Sequence, residues 1–170
     1  IDAVASLWTN VHGHRKKEID NAIRDQLDYI AHSTFLGLSN VPAVQLAEQL
    51  VSIAPRGLAK VFYADSGSEA MEVALKIAYQ YWCQKKHPEP ARKLFLHLDH
   101  SYHGDTIGSV SVGGIDLFHK IYHPLLFETM TIPSPYCYRC PYGLHAETCR
   151  MQCLARLEDS VKKRSSEIAA

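Results

Sequence analysis

The chain has 170 residues, 46% of them hydrophobic and 21% charged, which is the makeup of a folded domain and excludes a disordered segment. Lysine plus arginine equal aspartate plus glutamate at 18 each, so no overall field recruits nucleic acid or an anionic membrane. No apolar run is long enough to cross a bilayer and no secretion signal opens the chain, so small-molecule partners and the cytoplasm are expected, with no nucleic acid and no membrane.

Two amphipathic helices come first. Ile19, Ala22, Ile23, Leu27 and Ile30 recur at helical spacing. Ala43, Leu46, Ala47, Leu50 and Val51 do the same behind Pro42, which suits a first-turn position. A β-branched and aromatic stretch, Val61-Phe62-Tyr63, then predicts a strand. Behind the turn Asp65-Ser66-Gly67-Ser68-Glu69, the residues Ala70, Val73, Ala74, Ile77, Ala78, Tyr81 and Trp82 form a regular helical stripe, with Glu69, Glu72, Lys76, Gln80 and Gln84 opposite. Pro88 and Pro90 end that region, and Leu94 to Leu98 reads as a short buried parallel strand. Strand, helix, strand implies a right-handed crossover in an open α/β sheet, whose ligands sit at the carboxyl ends of the strands. Residues 133–149, rich in Pro, Tyr, Cys and Arg, read as a surface excursion, and a last helix is expected from Cys149 to Ser166 with Leu154, Leu157 and Val161 inward. The chain opens on Ile1 and closes on what reads as a helix running toward a strand, so it is expected to be a piece of a longer protein.

Ser66 with Glu69 three residues later reads as a capping box, which puts Gly67 and Ser68 in the first helical turn. Unpaired N–H groups, a hydroxyl and the positive end of the macrodipole make that turn a phosphate cup. The second loop, His100 to Thr106, gathers an aromatic ring, an imidazole and a carboxylate around Gly104. Two readings are open there. Tyr102 stacks on a flat ligand, or it plugs the strand end while Asp105 or Thr106 caps the next helix. His12 and His14 read as hydrogen-bonded loop residues.

Asp65-Ser66-Gly67-Ser68-Glu69-Ala70, Glu72 to Lys76 and Tyr102-His103-Gly104-Asp105-Thr106 together resemble the class III aminotransferases of the fold-type-I pyridoxal-phosphate group. Leu7 to His14, Gln80-Tyr81-Trp82 and Ser111 to Gly114 resemble the branch that aminates 8-amino-7-oxononanoate to 7,8-diaminononanoate in biotin biosynthesis. The resemblance implies a fold-type-I large-domain fragment, an α/β fold with a mostly parallel sheet, helices on both faces, and incomplete at both ends. Residues 1–40 would form an N-terminal segment with the first helix, and 41–170 part of the cofactor domain with a Cys-rich loop at 133–153. It further implies pyridoxal 5'-phosphate as cofactor, held by Ser66, Gly67, Ser68, Tyr102 and His103. Leu7, Trp8 and Tyr102 would line the substrate pocket; the family often has two adjacent tryptophans where this chain has Leu7 and Trp8. The amino donor would be S-adenosylmethionine or lysine, and the complete enzyme a homodimer. No catalytic residue is expected in this chain, because the Schiff-base lysine falls beyond Ala170. Lys76 is set aside as the polar-face partner of Glu72. The alternatives within the family are an ω-amino-acid or 4-aminobutyrate enzyme.

Cys137-x-x-Cys140 with Cys149 and Cys153 is a four-thiol set that matches a tetrahedral zinc or iron–sulfur site, which would make the chain a non-enzymatic metal module. Cys149 and Cys153 also fall at the spacing of one helix face, and Tyr136 to Pro141 resembles a loop that some class III enzymes use for a cluster and others leave as free thiols. No bound metal is expected.

Overall fold

Residues 1–170 are all described by the computed structural model, and they divide into two units, Ile1–Phe62 and Tyr63–Ala170. The first unit begins with α1 (Ala5–Trp8), a single turn in which all four residues have positive φ between 47° and 67°. Asp2 anchors this turn. Its Oδ2 accepts from Ser6 Oγ at 2.7 Å and from His14 Nε2 at 2.8 Å. The Ser6 backbone N–H, the Ser6 hydroxyl and His14 together pull the Asp2 carboxyl down to about 2. The two expected helices follow as α2 (Lys17–Leu27) and α3 (Val41–Ile53), although Ile30 lies past the end of α2. Asn40 caps α3 by accepting from the Ala43 N–H at 3.0 Å, with Pro42 in the first turn as its fixed φ favours.

The second unit contains α4 (Gly67–Gln84), β1 (Phe95–Leu98), α5 (Ile107–Ser111), α6 (Asp116–His119), β2 (Thr129–Ile132) and α7 (Gln152–Arg164). β1 and β2 pair in parallel, Phe95 opposite Thr129 through Leu98 opposite Ile132, and the connection between them runs through α5, α6 and a 3-10 stretch at Lys120–Leu125. The other edge of β1 is taken by the chain end, where Ile168 bridges Leu94 in parallel. His97 ties the two strands together. Its Nδ1 donates to the Leu98 carbonyl at 3.2 Å, leaving Nε2 to accept from the hydroxyls of Thr129 at 3.1 Å and Thr131 at 3.2 Å. Burial pushes the His97 imidazole below its ordinary pKa. Leu94, Phe95, Val110, Val112 and Ile132 form the buried apolar centre.

A latch holds the chain end against β1. Trp82 Nε1 donates to the Ala169 carbonyl at 2.8 Å, and Arg92 donates to the carbonyls of Ser165 and Ile168. Two cations lie over the Trp82 ring, the Arg92 guanidinium 4.3 Å and the Lys85 ammonium 4.6 Å from its centroid, while Glu89 binds both.

Three expectations need correction. Val61-Phe62-Tyr63 forms no strand: one edge of β1 is filled by β2 and the other by Ile168, so no place is left beside it. The loop at Asp65 therefore leaves no strand end. In α4 the inward row is Met71, Leu75, Ala78 and Trp82; Ala78 and Trp82 belong to the predicted stripe, but its Ala70, Ala74, Ile77 and Tyr81 are exposed, Ile77 at 55% and Tyr81 at 58%. The helix is apolar along two rows and packs only one of them on the sheet. The last helix starts at Gln152, after Met151 in a left-handed conformation, so Cys149 lies outside it, and Leu154 is exposed.

Candidate active site

The site begins at the start of α4. Ser66 is extended, and its Oγ accepts from the Glu69 N–H at 3.2 Å, the cap that the serine was expected to supply. The Glu69 carboxylate reaches one residue further out than a standard box and accepts from the Asp65 N–H at 2.9 Å. The N–H groups of Gly67 and Ser68 are left without an acceptor, pointing out of an 18-residue helix along its positive end. Nothing stands within 4 Å of the position a Gly67 side chain would take, so the approach is open.

The loop after β1 lies directly on this turn. Gly104 has φ +116°, and a Cβ there would stand 1.9 Å from Ser68 Oγ and 2.8 Å from Ser68 Cβ. Next to it the Asp105 N–H donates to Ser68 Oγ at 3.2 Å, which leaves the serine's own hydroxyl hydrogen unspent. A third tie lies one turn further along α4, where Glu72 Oε1 accepts from the Gly108 N–H at 2.7 Å and so caps α5. Glu72 makes no ion pair with Lys76, because its carboxylate is turned to that N–H. Sequence spacing alone suggested the ordinary surface pair, and no local signal distinguishes the two.

Tyr102 does not plug the strand end, for it is 54% exposed. Its hydroxyl donates to Asp105 Oδ2 at 2.7 Å, and this hydrogen bond to a carboxylate raises the phenol above its ordinary pKa. Behind it lies the His119 ring, 16° from parallel with centroids 6.2 Å apart. The helix-capping half of the other reading also holds, through Thr106: its N–H donates to Ser109 Oγ at 3.1 Å and the two hydroxyls meet at 2.7 Å. The loop therefore both caps α5 and presents a ring. His103 is half-buried and lines an apolar cavity under α4, of about 440 Å³, with Met71, Leu75, Leu98 and Val112.

Ser66, Gly67, Ser68 and Tyr102 are thus brought together in one unit, with His103 beneath them. Leu7 and Trp8 belong to the other unit, where both side chains are exposed on α1. Lys76 lies eight residues from Ser68, about 12 Å along the helix. Cys137, Cys140, Cys149 and Cys153 are free thiols, and no group of three or more His, Cys, Asp or Glu side chains assembles that could hold a metal. Two N–H groups and a hydroxyl converging at a helix start suit a doubly charged phosphate, and an exposed ring on the adjoining loop suits a flat heterocycle. The donors present fit pyridoxal phosphate. Asp105, Glu72 and His119 were not among the expected site residues; of these, only Asp105 carried a signal, three residues after Tyr102.

The class-III aminotransferase family model matches residues 1–170. The chain is 54% identical to the adenosylmethionine-8-amino-7-oxononanoate aminotransferase of Nitratidesulfovibrio vulgaris, over 100% of this chain and 31% of that protein. It is 52% identical to the protein of the same name in Geobacter sulfurreducens, over 99% of this chain and 37% of that one. Its structure is similar to the crystal structure of the Methanocaldococcus jannaschii protein of that name, with TM-score 0.85 and 42% identity over 99% of this chain and 35% of that one. An amine transaminase from an uncultivated Pseudomonas species, in its PLP-bound form, gives TM-score 0.90 and 34% identity over 100% of this chain and 39% of that one. The chain spans about a third of the length of the curated relatives it matches, at 31% and 37% for the two named.

Proposed function

The chain belongs to the class-III aminotransferases, and on that premise we propose that it supplies the phosphate cup and ring-stacking loop of an enzyme that aminates 8-amino-7-oxononanoate to 7,8-diaminononanoate. S-adenosylmethionine is the amino donor that the relatives' names support, with lysine as the other candidate. The observation that carries the reading is the seating of the Tyr102 loop on the cup, through the Asp105 N–H on Ser68 Oγ at 3.2 Å.

When bound, pyridoxal phosphate supplies the electron sink that transamination needs. The Gly67 and Ser68 N–H groups and the Ser68 hydroxyl hold its phosphate, while Ser66 and Glu69 keep the turn in shape. Tyr102 would cover one face of the cofactor's ring. Because Asp105 takes its hydroxyl hydrogen bond, Tyr102 Oη keeps its proton at neutral pH and works as a neutral plate rather than a base. His103 supports that loop from below. Leu7 and Trp8 offer apolar surface to the long aliphatic chain of the acceptor. The lysine that carries the cofactor is not Lys76, which stands too far along α4, and we place it outside these 170 residues. The complete enzyme is proposed to be a cytoplasmic homodimer that binds small molecules and no nucleic acid.

The test uses the full-length protein. It is expected to bind one pyridoxal phosphate per chain and to form 7,8-diaminononanoate with S-adenosylmethionine, whereas the 170-residue chain alone forms none. Ser68→Ala removes a hydrogen bond to a charged group, worth about 1.5–3 kcal/mol, and should weaken cofactor binding roughly tenfold to a hundredfold. Turnover confined to simple amines would move the enzyme to the ω-transaminase branch, and unchanged affinity in Ser68→Ala would remove the cup.

A further inference from the structure

His119 is buried, 4% exposed, yet neither of its ring nitrogens has a hydrogen-bond partner. An unpaired polar group in that position is costly relative to an apolar side chain, so packing alone does not explain an imidazole there. The carboxylate facing it is that of Asp105, with Oδ1 3.5 Å from His119 Nε2. That separation is an ion-pair contact rather than a formed hydrogen bond, and Asp105 is exposed enough to close it by a small rotation. The other oxygen of the same carboxylate already holds the Tyr102 hydroxyl at 2.7 Å. The imidazole itself lies near-parallel to the Tyr102 ring in the offset arrangement that aromatic pairs favour. Asp105 and His119 therefore converge on the Tyr102 phenol from two directions, its hydroxyl and its plane.

We propose that His119 is the positioning residue for Tyr102: its ring backs the phenol, and its Nε2 steadies the Asp105 carboxylate that pins the phenol oxygen. This rests on the reading of Tyr102 as the cofactor's stacking partner. His119 makes no contact with the cofactor in this scheme; it fixes the plate that does. An apolar residue would fill the same volume and leave Asp105 free to swing into solvent, carrying the hydroxyl with it.

Pyridoxal phosphate titrated into apo full-length protein separates the two routes. His119→Phe keeps a flat ring and loses the nitrogens; His119→Gln keeps a donor and loses the ring. Each should weaken cofactor binding about twofold to tenfold, with the melting temperature recorded beside it. In an Asp105→Asn background His119→Phe should add no further loss, because the route through the carboxylate is already cut, while His119→Gln still should. Wild-type affinity in a folded His119→Phe protein, or the same loss from His119→Phe in both backgrounds, would overturn the inference. Should the phenylalanine variant not fold, nitrogen NMR of the wild-type imidazole decides: Asp105→Asn must shift the His119 Nε2 resonance, and no shift removes the contact. Full-length wild-type protein that takes up no pyridoxal phosphate would instead sink the aminotransferase reading, an outcome readily told apart from a tight but His119-indifferent site.

Discussion

At the scale of single residues, the narrowest point of the site is Gly104. Its φ of +116° is disfavoured for any side chain, and a methyl group there would stand 1.9 Å from Ser68 Oγ. Gly104→Ala must push the Tyr102 loop off the cup and break the Asp105-to-Ser68 hydrogen bond. In the full-length protein it should lower stability by about 1–3 kcal/mol, read by urea unfolding, and weaken pyridoxal phosphate by at least about tenfold. Wild-type affinity in that variant would mean that the two loops do not act as one site. The cup itself was legible in the sequence, because a serine cap with a glutamate three residues on is a local rule that needs no tertiary structure. His119 was not. It lies 14 residues beyond Asp105 on a four-residue helix, and only the fold brings its ring behind Tyr102.

Among the elements, helices were legible and pairings were not. α2, α3 and α4 follow from spacing and capping, which are properties of neighbouring residues. Whether an apolar stretch becomes a strand depends on the edge that reaches it, and both edges of β1 go to other segments, β2 and Ile168. The face that α4 turns inward was misjudged for a related reason: with apolar residues on two rows, the sequence does not say which row meets the sheet. The β1–β2 pair also carries a pH dependence. His97 is neutral, accepts two threonine hydroxyls, and has its pKa pushed down by burial. Its folded value lies below its unfolded value, so its contribution is complete above the ordinary histidine range and is lost as the pH falls through the lowered value. Urea midpoints should drop between pH 7 and pH 5, and His97→Gln should flatten that drop by removing the titrating ring. An unchanged slope in the variant would place the acid sensitivity elsewhere.

For the molecule as a whole, the buried apolar centre is five side chains, while Phe62, Ile77, Tyr81 and many others remain exposed. Surface of that kind on an isolated polypeptide favours association. The 170-residue chain on its own is expected to bind an apolar dye and to sediment as more than one species; a dye-silent monomer with a single sharp melt would contradict this. The fold class was legible at this scale, since the two loop motifs resembled those of a class-III α/β fragment and the family model matches every residue. The latch at the chain end was not, since nothing in Trp82 or Arg92 announces the carbonyls they hold 73 to 87 positions away. That latch has a practical side. The chain has only two indoles, and Trp8 stands in solvent while Trp82 packs with two cations and has its nitrogen on Ala169. Replacing Trp8 would leave one fluorophore whose colour follows the docking of residues 165–170, an optical gauge already installed at the seam where the sheet is joined.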